Sequence, residues 1–142
     1  MIHNTIQAPE DVVAHIMQQD AFSRWLGIEV LETGPGYSKI QMKLREEMRN
    51  GLGVIHGGIA FSFADSAFAF ACNSYNNRSL ALDTSINFLK PTFPGDELFA
   101  EATEMHNGRS TGLYQVIITN QHGEKVALFK GTCFRTGKPL IN

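Results

Sequence analysis

The sequence predicts an α+β fold in which a curved, mostly antiparallel β-sheet wraps around one long central helix. Two observations lead to this prediction. The segment from Gly57 to Cys72 is apolar apart from the single carboxylate of Asp65, and its apolar residues lie on every side of the helix that it would form. A helix of that kind needs a sheet around it. Two segments before it and four after it have the composition or alternation of strands.

The residues before the central helix predict an N-terminal helical segment, 1–27, followed by two strands. Pro9 and the acidic residues after it suit the first turn of a helix, and a second helical turn ends at Gly27. Residues 28–32 and 37–44 read as strands on either side of the turn at 34–36. Residues 46–54 are polar and rich in glycine, which predicts a loop.

The central helix is expected to run from Gly57 to about Tyr75, and its apolar circumference implies burial on all sides. Proline breaks and the turn at Asn107-Gly108 separate the four strands that follow it. These are expected at 80–88, 97–105, 112–120 and 125–135. No repeat or linker interrupts the chain, so residues 1–142 are expected to form a single domain.

Composition excludes several classes of protein. A net charge of −2 and a pI near 6.2 argue against binding to nucleic acid. The two cysteines, Cys72 and Cys133, suit neither a disulfide framework nor a metal site, and buried free thiols in a reducing compartment are expected. The scattered histidines, His3, His15, His106 and His122, lack ligand spacing, so no metal and no cofactor are expected. With no signal-like start and no apolar span, we expect a cytoplasmic protein without membrane contact.

Asp65 and the residues at the start of its helix suggest chemistry. An ionised carboxylate persists in apolar surroundings only when it is paired, protonated or used. The helix begins at His56-Gly57-Gly58, where free backbone amides would favour negative charge. Asp65 could equally be a structural group that pairs with a buried cation. The amides and the carboxylate together favour a site for a reaction that develops negative charge.

Three motifs carry a resemblance to a known family. They are residues 50–58, Asn-Gly-Leu-Gly-Val-Ile-His-Gly-Gly, then Asp65, and then Asn87-Phe88-Leu89-Lys90-Pro91 with Gly95-Asp96. From about residue 22 to residue 135 the chain resembles the hot-dog-fold acyl-CoA thioesterases, in particular the group from phenylacetate degradation. The resemblance implies the hot-dog fold and hydrolysis of an acyl-CoA to a free acid and CoA, with phenylacetyl- and hydroxyphenylacetyl-CoA as candidate substrates.

The resemblance also implies the roles of individual residues and an assembly. Asp65 would act as general base or nucleophile, the Gly57 amide would polarise the thioester carbonyl, and Asn50 would position water or substrate. Family members are homodimers with sites at the interface, or homotetramers built as dimers of dimers. One feature departs from the family: the strand position that holds a water-binding Ser or Thr in some relatives falls near Ala81 here. The hydroxyls close to it are Ser79, Thr84 and Ser85.

The geometry of the helix supports a shared site independently of the family. Gly57 and Asp65 are eight residues apart, which is roughly 12 Å along a helix axis. One carbonyl group can hardly touch both within a single chain. If both residues serve one substrate, they should come from two subunits related by a two-fold axis.

Several candidate residues have a second interpretation. His56 is a candidate base, although a role in holding the loop suits it better. Asn50 is also a typical turn residue. Phe61 is expected mainly in the core, with a second role in lining the acyl pocket. Gly58 is placed with the substrate-binding residues. For the CoA phosphates the candidates are Lys90, Arg109 and Arg135, with Ser110 and Thr111 as donors in the turn beside Arg109; a solvated turn is the alternative.

Two rival functions are compatible with the sequence. A hydratase or dehydratase on the same fold, acting on an enoyl-CoA, would need an acid–base pair that could recruit His56. A non-catalytic acyl-CoA-binding module could dispense with Asp65, so the presence of Asp65 disfavours it.

Overall fold

The structure is a computed structural model, and it describes residues 7–142. The first six residues of the expected N-terminal helical segment, with His3, lie outside the described residues. Helix α1 covers Pro9–Gln19 with the proline in its first turn, and helix α2 covers Ala21–Leu26. Gly27 ends α2 in the left-handed conformation (φ 80°), as the sequence predicts.

A single sheet of six antiparallel strands follows the predicted segments closely. Its strands lie in the order β1-β2-β4-β5-β6-β3 across the sheet. Their bounds are Glu29–Gly34 for β1, Tyr37–Lys43 for β2, Ser79–Phe88 for β3, Glu97–Asn107 for β4, Thr111–Thr119 for β5 and Lys125–Arg135 for β6. Strands β1 and β3 are therefore the two edges of the sheet.

The central helix α3 covers Gly57–Asn73 and packs against the sheet, with its phenylalanines in the core. Phe63, Phe68 and Phe70 are almost completely buried. One long helix held by a curved antiparallel sheet is the hot-dog fold, so the predicted fold class is confirmed.

The predicted end of α3 near Tyr75 is wrong by two residues. The side chain of Asn73 accepts a hydrogen bond from the Ser79 amide at 2.8 Å and donates to the Ser79 carbonyl at 3.2 Å. These bonds to the first residue of β3 turn the chain away from the helix axis. The loop predicted at 46–54 also needs correction, because it contains a 3₁₀ turn, Glu46–Met48, and a β-bridge between Arg49 and Ile55.

The expectation that α3 is buried on all sides is wrong within one chain. A stripe along the helix remains partly exposed, and its members recur at a spacing of three or four residues, so they share one face. We call this face the open stripe; it comprises Gly58, Phe61, Ser62, Asp65 and Ala69. The one carboxylate of α3 therefore lies on the side of the helix that its own sheet leaves uncovered.

Arg135 on β6 is a charged side chain inside the fold, with only 8% of its surface exposed. Its guanidinium donates to the Cys72 carbonyl at 3.1 Å, the Asn107 side chain at 2.7 Å and the Tyr114 hydroxyl at 3.0 Å. Glu104 lies 3.8 Å from it. Arg135 therefore joins the end of α3 to the sheet, and this internal engagement removes it from the candidates for binding phosphate.

Candidate active site

The start of α3 presents a free backbone amide to an open cleft. His56 is the N-cap, and its Nδ1 accepts a hydrogen bond from the Gly58 amide at 2.9 Å. Gly57 precedes Gly58, and within residues 7–142 its amide has no hydrogen-bond partner. The first residues of a helix carry a partial positive charge, so this amide can donate to an oxygen that gains negative charge.

The cleft at Gly57 has a volume of about 340 Å³ and is mostly apolar. Its lining comes from the loop before α3, the start of α3, the end of β3 with the residues after it, and β6: Val54, Ile55, His56, Gly57, Ala60, Phe88, Leu89, Lys90, Pro91, Thr92 and Val126. A Cβ on residue 57 would lie 3.0 Å from Cζ of Phe88. Glycine therefore lets the ring and the helix start share one wall of the cleft.

Lys90 is the predicted phosphate ligand that the structure brings next to Gly57. It lines the same cleft, and its ammonium group forms an ion pair with Glu124. Phe88 and Leu89 also line this cleft, and the sequence indicated them only as members of the family motif at 87–91.

Asn50 holds the loop that leads into α3. Its Oδ1 accepts hydrogen bonds from the amides of Leu52 at 2.8 Å and Val54 at 3.3 Å. This oxygen therefore stabilises the loop in the way expected of a turn residue, which is the second interpretation that the sequence allowed for Asn50. Its Nδ2 donates to no group in the part of the chain that the structure describes, which leaves one amide donor available to another molecule.

Asp65 lies on the open stripe, and no other residue in the range 7–142 forms a hydrogen bond or ion pair with its carboxylate. Burial raises the pKa of the Asp65 carboxyl above its ordinary value, and the Asp20 carboxylate raises it further by like-charge repulsion. A carboxylate with a raised pKa is a stronger proton acceptor, which is the property that a general base needs.

The raised pKa of Asp65 predicts a pH-dependent effect on stability. Between the ordinary carboxyl value of 3.8 and the raised value, the folded protein holds a proton that the unfolded chain has released. Ionised Asp65 thus costs stability as the pH rises through this window. We expect Asp65→Asn to raise the free energy of unfolding at neutral pH by about 1 kcal/mol. Thermal unfolding from pH 3 to pH 8 would show the gain disappearing in acid; an equal gain at every pH would contradict this explanation.

The structure does not bring Asp65 and Gly57 into one cleft. Instead, the side of α3 near Asp65 borders a second cavity of about 510 Å³. This cavity is lined by Ala69, one turn beyond Asp65, and by His15, Ile16, Gln19, Asp20, Asn73, Arg78, Ser79, Leu80, Pro139 and Leu140. The separation expected from helix geometry is therefore present within the chain.

Asp20 lines this second cavity, and it was not among the site residues predicted from the sequence. It is the N-cap of α2, where it accepts from the Ser23 amide at 2.9 Å. The spacing Asp20-Ala21-Phe22-Ser23 is a recognisable N-cap signal. Its closeness to Asp65 depends on how α2 packs on α3, and no local pattern contains that information.

The remaining predicted residues lie elsewhere. Phe61 is half-buried and packs edge-on against Phe129, with ring centroids 5.6 Å apart. Arg109 and Ser110 lie in the connection between β4 and β5, and Thr111 is the first residue of β5. All three lie beside Arg135 and so near the last turn of α3. Within one chain they are at the opposite end of α3 from Gly57.

The hydroxyls of β3 point in different directions because side chains alternate along a strand, and a bulge between Ala81 and Asp83 shifts that alternation relative to Ser79. Ser79 is occupied, since it donates to the Asn77 carbonyl and accepts from Arg135. Thr84 pairs with buried Gly131 and faces the helix, whereas Ser85 pairs with exposed Lys130 and faces outward. Thr84 is therefore the hydroxyl on the helix side of the strand beyond Ala81.

Residues 7–142 contain neither a metal-binding cluster nor a membrane-spanning helix. No group of three or more histidine, cysteine, aspartate or glutamate side chains in that range could hold a metal ion. None of its helices is both long and apolar enough to cross a membrane.

Comparison with known proteins identifies the family. Residues 52–127 match the model of the Thioesterase superfamily. Acyl-coenzyme A thioesterase PaaI of Escherichia coli is 42% identical over 125 residues, which are 87% of this chain and 89% of that protein. A putative esterase of Archaeoglobus fulgidus is 37% identical over 132 residues, covering 93% of this chain and 86% of that one.

Solved structures agree with this result. The E. coli PaaI protein from the phenylacetic acid degradation operon superposes with a TM-score of 0.91 at 38% identity, covering 92% of this chain and 95% of that one. A Streptococcus mutans protein bound to acetyl CoA superposes with a TM-score of 0.77 at 29% identity, covering 79% and 90%. By sequence and by fold, the chain belongs to the thioesterase superfamily.

Proposed function

We propose that this protein hydrolyses the thioester of an acyl-CoA to a free acid and CoA. The observation that carries the proposal is that one helix presents two groups suited to this reaction. They are a free backbone amide at Gly57 and a lone, partly buried carboxylate at Asp65 whose pKa is raised. The similarity to proteins named acyl-CoA thioesterases, and to a relative solved with acetyl CoA, supports the choice of substrate class.

In the proposed reaction the Gly57 amide donates to the thioester oxygen, which becomes an oxyanion when the carbonyl carbon is attacked. Water attacks while Asp65 accepts its proton, and the thiolate of CoA leaves and is then protonated. Alternatively, the Asp65 carboxylate attacks the carbonyl carbon directly and displaces the CoA thiolate, which is then protonated, and water hydrolyses the resulting anhydride to the free acid and the Asp65 carboxylate. The free Nδ2 of Asn50 and the inward hydroxyl of Thr84 are suited to orient the substrate or the water.

We further propose that the two groups come from different subunits of a homodimer. The open stripe leaves Asp65 uncovered in one chain, and a second copy would cover it. The edge strand β3 offers ten residues for pairing and exposes Leu80 (55%) and Leu82 (64%). A long edge strand with apolar side chains leaves a row of backbone N–H and C=O groups free to pair with another chain. This arrangement would bring the Gly57 amide of one subunit to the Asp65 of its partner.

Substitution of Leu82 tests the proposed interface. Leu82→Lys places a charge on the β3 edge, and we expect monomers with activity reduced about 10²-fold or more, since the oxyanion donor is then missing from each site. Leu31→Lys is the matched control, because Leu31 is exposed on β1, the other edge of the sheet. Light scattering after size-exclusion chromatography and a thiol-release assay are the measurements. A fully active Leu82→Lys monomer would rule out the shared site.

The remaining contacts follow from this arrangement as proposals. Lys90 at the Gly57 cleft and Arg109 in the β4–β5 connection would bind CoA phosphates. Phe61 belongs to the open stripe and would contact an aromatic acyl group, such as phenylacetyl or hydroxyphenylacetyl. On the outer face of the sheet, a cavity of about 400 Å³ whose lining includes Phe99, Ile117, Lys39 and Glu101 is a candidate contact surface for assembly of dimers into tetramers. The free thiols Cys72 and Cys133 support a cytoplasmic location.

The proposed activity is tested with a panel of acyl-CoAs of different chain length, including phenylacetyl-CoA and an enoyl-CoA. We expect CoA thiol release on at least one member, and no change in double-bond absorbance with the enoyl-CoA. Hydration of the enoyl-CoA without thiol release would indicate a hydratase instead. Tight binding without turnover of any member would indicate a binding module.

A further inference from the structure

Asp20 stands at the junction of α1 and α2, where the N-terminal helices meet the Asp65 side of α3. Its carboxylate is fixed in place by Ser23. The Ser23 amide donates to Oδ1 at 2.9 Å, and the Ser23 hydroxyl donates to Oδ2 at 2.6 Å. A carboxylate with two such donors has a defined position on the wall of the cavity.

A second contact connects this junction to α3. The Ser23 Oγ lies 2.8 Å from the Ser66 Oγ, and both serines are buried. Ser66 is the residue directly after Asp65. Asp20, Ser23 and Ser66 therefore form a partly buried chain of hydrogen bonds that ends at the residue next to Asp65 and ties the cap of α2 to α3.

Few other ionisable groups among residues 7–142 face this side of α3. His15 on α1 and Arg78 before β3 also line the 510 Å³ cavity, and the Cys72 thiol lies two turns further along α3. Asp20 is the group whose charge acts on the Asp65 carboxyl. An anion next to a proton acceptor disfavours the ionised form of that acceptor and makes it a stronger base.

We propose that Asp20 is a positioning residue for hydrolysis: held by Ser23, which is itself bonded to Ser66 on α3, its carboxylate places a fixed negative charge at the edge of the cavity on the Asp65 side of the helix. The inference rests on the proposed function, in which Asp65 accepts a proton or attacks the thioester. It assigns a part in the reaction to a helix cap that touches neither the thioester nor the Gly57 amide.

The substitution Asp20→Asn removes the charge and keeps the cap. Asparagine is as good an N-cap as aspartate and can still accept from the Ser23 amide, so α2 should remain in place. We expect the acid limb of the kcat/KM profile to move to lower pH and the plateau kcat to fall about a few-fold, because a weaker base ionises earlier and accepts protons less readily. If Asp20 had only a structural role, the substitution would lower activity equally at every pH and would not shift the acid limb of the kcat/KM profile.

The matched control is Asp11→Asn, the same loss of charge at an exposed position on α1, which should change neither the limb nor the plateau. A ¹³C NMR titration of the Asp65 carboxyl carbon gives a readout that does not require turnover, and its midpoint should move to lower pH in Asp20→Asn. An unchanged midpoint, with Asp65→Asn inactive, would overturn this inference alone. Full activity of Asp65→Asn would instead overturn the role given to Asp65 in the proposed function.

Discussion

Asp65→Asn is expected to lower kcat about 10²- to 10⁴-fold, which is the usual contribution of a general base, while KM stays nearly unchanged. The amide has the shape of the carboxylate but can neither accept the proton of water nor attack the thioester. Within residues 7–142 no hydrogen bond or ion pair holds Asp65, so its replacement breaks no structural contact. Thiol release under saturating acyl-CoA measures the effect.

A second measurement distinguishes the two roles open to Asp65. A single turnover in ¹⁸O-labelled water places the label only in the product acid if water attacks the carbonyl directly. If Asp65 is the nucleophile and water opens the anhydride at the Asp65 carbonyl carbon, the product receives an unlabelled oxygen and the label stays on Asp65. Label on Asp65 after one turnover therefore identifies Asp65 as the nucleophile. Wild-type rates in Asp65→Asn would remove this residue from the mechanism in either form.

Mixing two inactive variants tests whether the site is shared. Asp65→Asn retains the helix start, and Gly57→Val would fill the space between residue 57 and Phe88, where a Cβ would already lie 3.0 Å from the ring. Each variant alone should be inactive. Heterodimers assembled from the two should regain one intact site of the two present, whereas a site built within one chain would give no recovery.

Arg135→Met is expected to lower the free energy of unfolding by about 3–5 kcal/mol, the usual cost of removing one partner of a buried ion pair. Methionine fills similar space but leaves the Cys72 carbonyl and the Asn107 side chain without their donor, and it leaves Glu104 without its cation. Glu104 keeps hydrogen bonds from the hydroxyls of Tyr75 and Tyr114, which places the expected loss toward the lower end of the range.

Urea unfolding measures this loss as a lower midpoint with an unchanged slope. The control is Lys130→Met, which removes a positive charge from an exposed position on the same strand; it should change stability by less than about 0.5 kcal/mol. A similarly small effect of Arg135→Met would contradict the prediction, because it would mean that the hydrogen bonds of Arg135 only compensate for the burial of its charge.

The features that the sequence predicted well are those that depend on near neighbours. Alternation, strand-like composition and the turn residues between segments together located all six strands, since each of these signals comes from residues close together in the chain. The cap at the start of α3 is also local, because His56 bonds to an amide only two residues away. The separation of Gly57 from Asp65 follows from helical rise alone, so the spacing of these two residues in the sequence is enough to suggest a site shared between subunits.

The features that only the tertiary structure decided depend on residues far apart in the chain. Asn73 ends α3 because it bonds to Ser79 across a turn, and Ser23 reaches Ser66 over 43 positions of sequence. Hydrophobic periodicity showed that α3 is apolar all round, but it does not record which side the chain itself covers. Packing left Asp65 on the uncovered side and placed the charge of Asp20 near it, because the electrostatic environment of a carboxylate is set by whatever folds against it.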